Sequence, residues 1–224
     1  MASTTNYKYT FFRISKETGV PTSAQEFRAL RLKALKASPG SFASTYDIEL
    51  AFTDAEWEQR ITTPHYEVFI CAATPCRDNT SYPASDSDSD SSEWIAQVTL
   101  RGPLSQTDYT LPPESGLAPA KSDNEEERWH MLSLFTLPEH RGLGLAAKLC
   151  QCALDFLKSF RSSPREVLVR LIVKPENQVT VRLYRRLGFE LVGKATLVEA
   201  LVANGDGHLL PVEKSSGKWT DRGV

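Results

Sequence analysis

The sequence has no apolar run approaching the ~20 residues that cross a bilayer, and its first residues, MASTTNYKYTFFRIS, are polar where a secretory leader would be hydrophobic. The expectation is a cytoplasmic chain without membrane contact. Charge of one sign is also missing: 26 Lys and Arg against 28 Asp and Glu leave a formal net charge of −2. Nucleic-acid binding would call for a clustered basic face, so no nucleic-acid partner is expected. Cysteine is sparse, with four residues. Cys71 and Cys76 flank a proline-containing stretch, and Cys150 and Cys152 stand two apart in a helical pattern, so neither pair has the usual zinc-ligand spacing. We expect free thiols and no metal. No internal repeat is present, and oligomeric state is not legible.

What is there is enough for one core, and a single domain over residues 1–224 is the expectation. Strands are read at residues 7–14, 66–73, 94–101, 128–137 and 167–173, the second and third pairing antiparallel, with terminal strands near 189–195 and 208–213. Helices are read at 23–37, with Phe27, Leu30 and Ala34 on its apolar stripe, and after the capping box Thr53-x-x-Glu56, with Trp57 and Ile61 inward. Two more follow at 143–160, where Leu145, Leu149, Cys152, Phe156 and Phe160 recur at helical spacing, and at 177–187. The alternation predicts an α/β fold with a mixed, mostly antiparallel central sheet flanked by helices. Residues 74–92 end in a Ser/Asp tract too polar to offset its ordering entropy and are expected to be a disordered acidic insertion. The connection 102–126 carries four prolines and is expected to be long and mobile.

The segment LFTLPEHRGLGLAAKL, residues 134–149, concentrates the chemistry. An apolar strand and a proline stop lead into Arg141-Gly142-Leu143-Gly144-Leu145-Ala146-Ala147 at the start of an amphipathic helix. A helix start offers backbone N–H groups without intrahelical partners and the positive end of the helix dipole, and glycines let an anion approach. Arg141 adds a cation, so the segment is built to hold a phosphate. Gly142-x-Gly144-x-x-Ala147 formally fits the dinucleotide fingerprint, but four residues separate the strand from the first glycine. The next strand also runs into Lys174 instead of an acidic residue.

The Arg-x-x-Gly-x-Ala spacing resembles the pyrophosphate loop of the GNAT superfamily of acyl-CoA-dependent N-acetyltransferases. A second stretch, PENQVTVRLYRRLGF, is similar to that family's Asn-x-x-Ala-x-x-Leu-Tyr-x-x-x-Gly-Phe signature at Asn177, Leu183, Tyr184, Gly188 and Phe189, with Thr180 in place of Ala. Asn177 and Tyr184 are seven residues apart, which would place them on one helix face. Gly188 suits a left-handed helix stop.

The resemblance implies acetyl-CoA as cosubstrate and an N-acetyltransferase acting on a primary amine, with a small metabolite favoured over a protein N-terminus or lysine. The alternative from another class is a catalytically silent acyl-CoA-binding module. It implies that backbone of Leu134, Phe135, Thr136 and Leu137 lines the pantetheine arm and that residues 141–147 hold the pyrophosphate. Tyr184 would be the general acid, a phenol protonated at neutral pH. His130 would be the general base, standing where histone and arylalkylamine acetyltransferases carry a Glu or His on this strand. The acceptor groove would take Phe42, Tyr46, Asp47 and Glu49 from the segment between the first two helices, with Glu199 and His208 opposite.

Overall fold

The computed structural model describes residues 6–42, 44–76, 92–160, 163, 166–210 and 221. Five strands form one sheet in the order of the chain: β1 (Tyr7–Arg13), β2 (Tyr66–Pro75), β3 (Glu93–Arg101), β4 (Glu126–Thr136) and β5 (Glu166–Arg170). All neighbours are antiparallel except β4 and β5, which are parallel. The central pair β2 and β3 is buried along nearly its whole length. That explains its mostly apolar sequence, interrupted by buried Glu67, Gln97 and Thr99, because a strand covered on both faces has no polar side to alternate.

The helices are α1 (Val20–Ala37), α2 (Tyr46–Leu50), α3 (Asp54–Thr62), α4 (Gln106–Tyr109), α5 (Leu145–Phe160), α6 (Gln178–Arg186) and α7 (Leu197–Asn204). On α1 the expected stripe Phe27, Leu30 and Ala34 is buried. The helix begins earlier than its pattern implied, on left-handed Gly19 followed by Pro21. The Thr53–Glu56 capping box is present in full and aims Trp57 and Ile61 into the core. On α5 the buried row is Leu145, Leu149, Cys150, Ala153 and Leu157. Cys152, Phe156 and Phe160 flank it half-buried, with Phe156 against Phe69 and Phe160 against Trp129. Periodicity located the apolar side of α5 but set its centre toward the aromatics.

The strand expected at 189–195 is not formed: the chain is irregular there, with Leu191 and Val192 exposed, and then enters α7 through a Thr196–Glu199 capping box. His208, expected in a last strand, sits in a 3-10 turn at Gly207–Leu209, and residues 211–213 lie outside the described residues. Of the expected insertion 74–92, Thr74 and Pro75 belong to β2, opposite Lys8 and Tyr7, and residues 77–91 lie outside the described residues. The connection 102–126 carries α4 and a 3-10 turn at Pro113–Ser115. Buried Arg128 holds its end, donating from Nε to Glu126 and from Nη1 to Asp123, both at 2.7 Å, and from Nη2 to the Lys121 carbonyl.

Candidate active site

The β4–β5 ladder runs from Glu126↔Glu166 to His130↔Arg170 and stops. Beyond that rung β4 continues to Thr136, while the chain after Arg170 leaves strand geometry. Residues 131–136 therefore have no ladder partner on their β5 side. On the other side β4 stays paired with β3, but the register slips between Gln97↔Phe135 and Thr99↔Leu132. Ser133 takes a positive φ of 57° at that slip, the mark of a bulge that bends the strand. Gln97 Nε2 braces the Ser133 carbonyl at 3.3 Å. The result is a fork with free backbone polar groups along one prong, and it contains Leu134, Phe135 and Thr136 with Leu137 just past the end.

The glycine loop closes the far end of this prong. Gly142 and Gly144 adopt φ of 81° and 74°, and a Cβ on either would meet nothing within 4 Å. Their freedom is needed for the backbone turn, and the space over them is open. The first bond of α5 runs from Lys148 N–H to the Gly144 carbonyl, so the N–H groups of Leu145, Ala146 and Ala147 lack intrahelical acceptors. Leu143 is 55% exposed at the loop tip. Arg141 donates from Nε to the Thr136 carbonyl at 2.9 Å and lies 5.4 Å from the Phe135 ring centroid, which ties an exposed cation to the fork. These residues fit a diphosphate: free amides, a helix dipole and a guanidinium meet at one open turn.

Tyr184 is buried, 7% exposed, with its ring edge-on to Phe189 at 5.6 Å. Burial, with Cys150 nearby, pushes its phenol well above the usual range, so it is fully protonated at neutral pH. Helix α6 ends as expected: Gly188 at φ 89° donates to Arg185 and Phe189 donates to Tyr184, the paired bonds of a Schellman stop. Asn177 is the N-cap of α6, its side chain accepting the Thr180 N–H at 3.3 Å.

His130 is a correction. It is 0% exposed, and Arg170 Nη2 lies 2.8 Å from its Nε2. Burial, then Arg170 and Arg101, push its pKa down to about 3. A guanidinium can only donate, so the imidazole accepts at Nε2 and carries its proton at Nδ1. A ring that binds a proton only in strong acid, with its acceptor nitrogen already engaged, does not serve as the expected general base.

The acceptor-side residues separate. Phe42 lies under the Arg31 guanidinium at 4.3 Å and 5.9 Å from Phe135, so it reaches the fork. Tyr46 is half-buried beneath Lys36 Nζ at 4.3 Å, and Asp47 is exposed. Glu49 is not a groove carboxylate: it is 0% exposed and accepts from Arg31 Nε and Nη2 at 2.9 and 2.7 Å, with Arg60 at 3.7 Å. Its pKa is lowered because the bonds and charge of Arg31 outweigh the burial that opposes ionisation. Glu199 is used in its own helix cap, and His208 is exposed.

Sequence reasoning missed Arg170 and Tyr109. The Arg170 guanidinium lies 3.8 Å over the Tyr109 ring, and the His130 ring lies 5.4 Å from it. Strand pairing brings His130 and Arg170 together and the fold of the connection lays Tyr109 over them, and a lone Tyr in a proline-rich connection gives no signal of it. Among the described residues no group of His, Cys, Asp or Glu could hold a metal ion, and no helix is long and apolar enough to cross a membrane.

Residues 109–189 match the model of the acetyltransferase (GNAT) family. Among solved structures, the chain is similar to aminoglycoside N-acetyltransferase AAC(6')-Iy in complex with CoA, at 17% identity and TM-score 0.51, covering 87% of this chain and 95% of that one. The same enzyme with a bisubstrate analogue aligns at 18% identity and TM-score 0.50, covering 84% and 95%. An aminoglycoside acetyltransferase from an uncultured soil metagenomic sample aligns at 12% identity and TM-score 0.50, covering 82% and 93%. At these identities the likeness to solved structures is one of fold, and the match over residues 109–189 agrees with the GNAT resemblance read from the two motifs.

Proposed function

We propose, from the premise that residues 109–189 are a GNAT-family acetyltransferase segment, that the protein transfers acetyl from acetyl-CoA to a primary amine of a small molecule. The observation that carries this reading is the fork: β4 loses its partner after the His130↔Arg170 rung and runs, with free backbone, into an open glycine turn. Acetyl-CoA would supply the thioester, an acyl group already activated toward an amine. Residues 141–147 bind and orient the diphosphate, and backbone of residues 134–137 pairs with the arm as a strand would. An N–H of that prong stabilises the oxyanion that develops on the carbonyl.

The amine nitrogen forms the new C–N bond as the C–S bond breaks. Tyr184 gives its phenolic proton to the departing sulfur, and the proton lost by the attacking nitrogen leaves through water, restoring the phenol. The raised Tyr184 pKa suits an acid and not a base. His130 has no proton-transfer part in this scheme.

Free-thiol release from acetyl-CoA across a panel of amines and peptides tests the reading. Release with small amines supports it; release with peptides alone moves the acceptor to proteins. Tyr184→Phe is expected to lower turnover about 10²–10⁴-fold while the rise in melting temperature caused by acetyl-CoA is kept.

A further inference from the structure

Tyr66, Arg101, His130 and Arg170 are successive register partners across β2, β3, β4 and β5, so their side chains share one face of the sheet. Trp129 and Met131 alternate to the opposite face, where Trp129 meets Phe160 of α5. The row therefore lies opposite α5, and α7 covers part of it, accepting from Arg101 Nη1 at the Ala203 carbonyl, 2.7 Å, and from the Tyr66 hydroxyl at the Asn204 carbonyl, 3.3 Å. Its last two members stand at the base of the fork.

Arg170 is the exception among the buried arginines. Arg31 is held by Glu49 and Arg128 by Glu126 and Asp123. Arg170 is 8% exposed and has only His130 Nε2 and the face of the Tyr109 ring. Among the described residues no carboxylate stands within ion-pair distance of it. Its Nε and the Nδ1 of His130 are both buried without a hydrogen-bond partner. A buried cation is ordinarily paired, because an ion removed from water without a counter-charge is strongly unfavourable. Neutral His130 holds the guanidinium through Nε2 without adding a second charge.

We propose that Arg170, with His130 beside it, anchors a carboxylate of the acceptor, so that the substrate class is an amine bearing a carboxylate several bonds from its nitrogen. The inference rests on the acetyltransferase reading above. A carboxylate there completes the missing ion pair with charge-assisted hydrogen bonds in a site shielded from water. The required separation follows from the fork: Leu134, beside which the thioester carbonyl would lie, is four residues beyond His130, and the bulge at Ser133 shortens the span to roughly 10 Å, about three strand residues. The carbon chain of the acceptor would span that distance. An α-amine adjacent to its own carboxylate is too short.

The test compares 6-aminohexanoate with its carboxamide as acceptors for acetyl-CoA, in the wild type, Arg170→Gln and Arg170→Lys. The wild type is expected to favour the carboxylate about 10- to 100-fold in kcat/KM, the ratio falling toward one in Arg170→Gln and persisting in part in Arg170→Lys. Calorimetric binding of 6-acetamidohexanoate, its carboxamide and acetate to the CoA-bound protein gives a readout independent of turnover. Equal kcat/KM for the two acceptors together with equal binding of the two acetamides overturns the anchor and leaves the enzyme standing. Acetate binding as tightly as 6-acetamidohexanoate assigns the site to free anions and overturns the acceptor role. Carboxylate-dependent binding without transfer to any amine removes the acetyltransferase reading and keeps the anchor. If Arg170→Gln does not fold, the wild-type preference decides.

Discussion

The two sides of the fork are built from different materials. On the cofactor side, β4, the glycine turn and the start of α5 come from one stretch of chain, and what they offer is mostly backbone: unpaired strand amides, helix-start amides and two glycines at positive φ. On the opposite side the groups are side chains drawn from distant segments. Arg31 and Glu49 come from α1 and α2, Tyr109 from the long connection, His130 and Arg170 from two strands. A backbone site tolerates change in most side chains and fails where conformation fails. A side-chain site has the reverse sensitivity, because each charge there is buried and depends on one or two named neighbours.

Gly144→Asp should break the first half most completely. It forces a Cβ into a φ of 74°, at about 1–3 kcal/mol of strain, and sets a carboxylate where the diphosphate would lie. The acetyl-CoA melting shift is expected to vanish. Since a Cβ at this position meets no other atom, the fold should be kept, as judged by circular dichroism. An unchanged acetyl-CoA shift would mean that this turn holds no phosphate.

Glu49→Gln probes the other half and should act on stability more than on cofactor. It leaves Arg31 buried without its counter-charge, so a loss of about 3–5 kcal/mol in denaturant unfolding is expected, with the acetyl-CoA shift still measurable. Small destabilisation together with a raised acceptor KM would return Glu49 to the groove.

A smaller effect sharpens the comparison through pH. His130 has a depressed pKa in the folded chain, so its contribution is complete above the unfolded value of 6.5 and falls as pH drops toward about 3. Below pH 6.5 the unfolded chain binds a proton that the folded chain does not, costing up to about 1.4 kcal/mol per pH unit. Glu49, lowered from 4.5, has its stabilisation above that value and loses it only at lower pH. Stability measured between pH 6.5 and 5 should therefore decline in the wild type and flatten in His130→Gln, while Glu49→Gln keeps the decline. No change in slope in His130→Gln would mean that this histidine is not held neutral.

Legibility followed the same division. The Thr53–Glu56 box, the glycine turn and the Gly188 stop are local devices, each complete within a few residues, and all three formed as their spacing implied. Asn177 closes the start of α6 as its N-cap, a further local device. The expected strand at 189–195 did not form: β5 stays the edge of the sheet among the described residues, and Leu191 and Val192 are exposed beside no partner strand. His130 and Glu49 looked like free functional groups because an ionisable residue in a sequence shows its type and not its partner.

The sequence by itself determined the strand-to-helix turn with its glycines, the apolar faces of the helices, the α/β alternation and the two motifs that resemble the GNAT family, because each depends on residues near one another along the chain. Tertiary structure alone decided where β4 and β5 part, which carboxylates are already bound to arginines, that His130 is neutral, and that Arg170 is a buried cation lacking an acidic partner among the described residues. These depend on burial and on charges brought together across the sheet, and the free energy of an ionised group is set by what surrounds it in space, not by its neighbours in sequence.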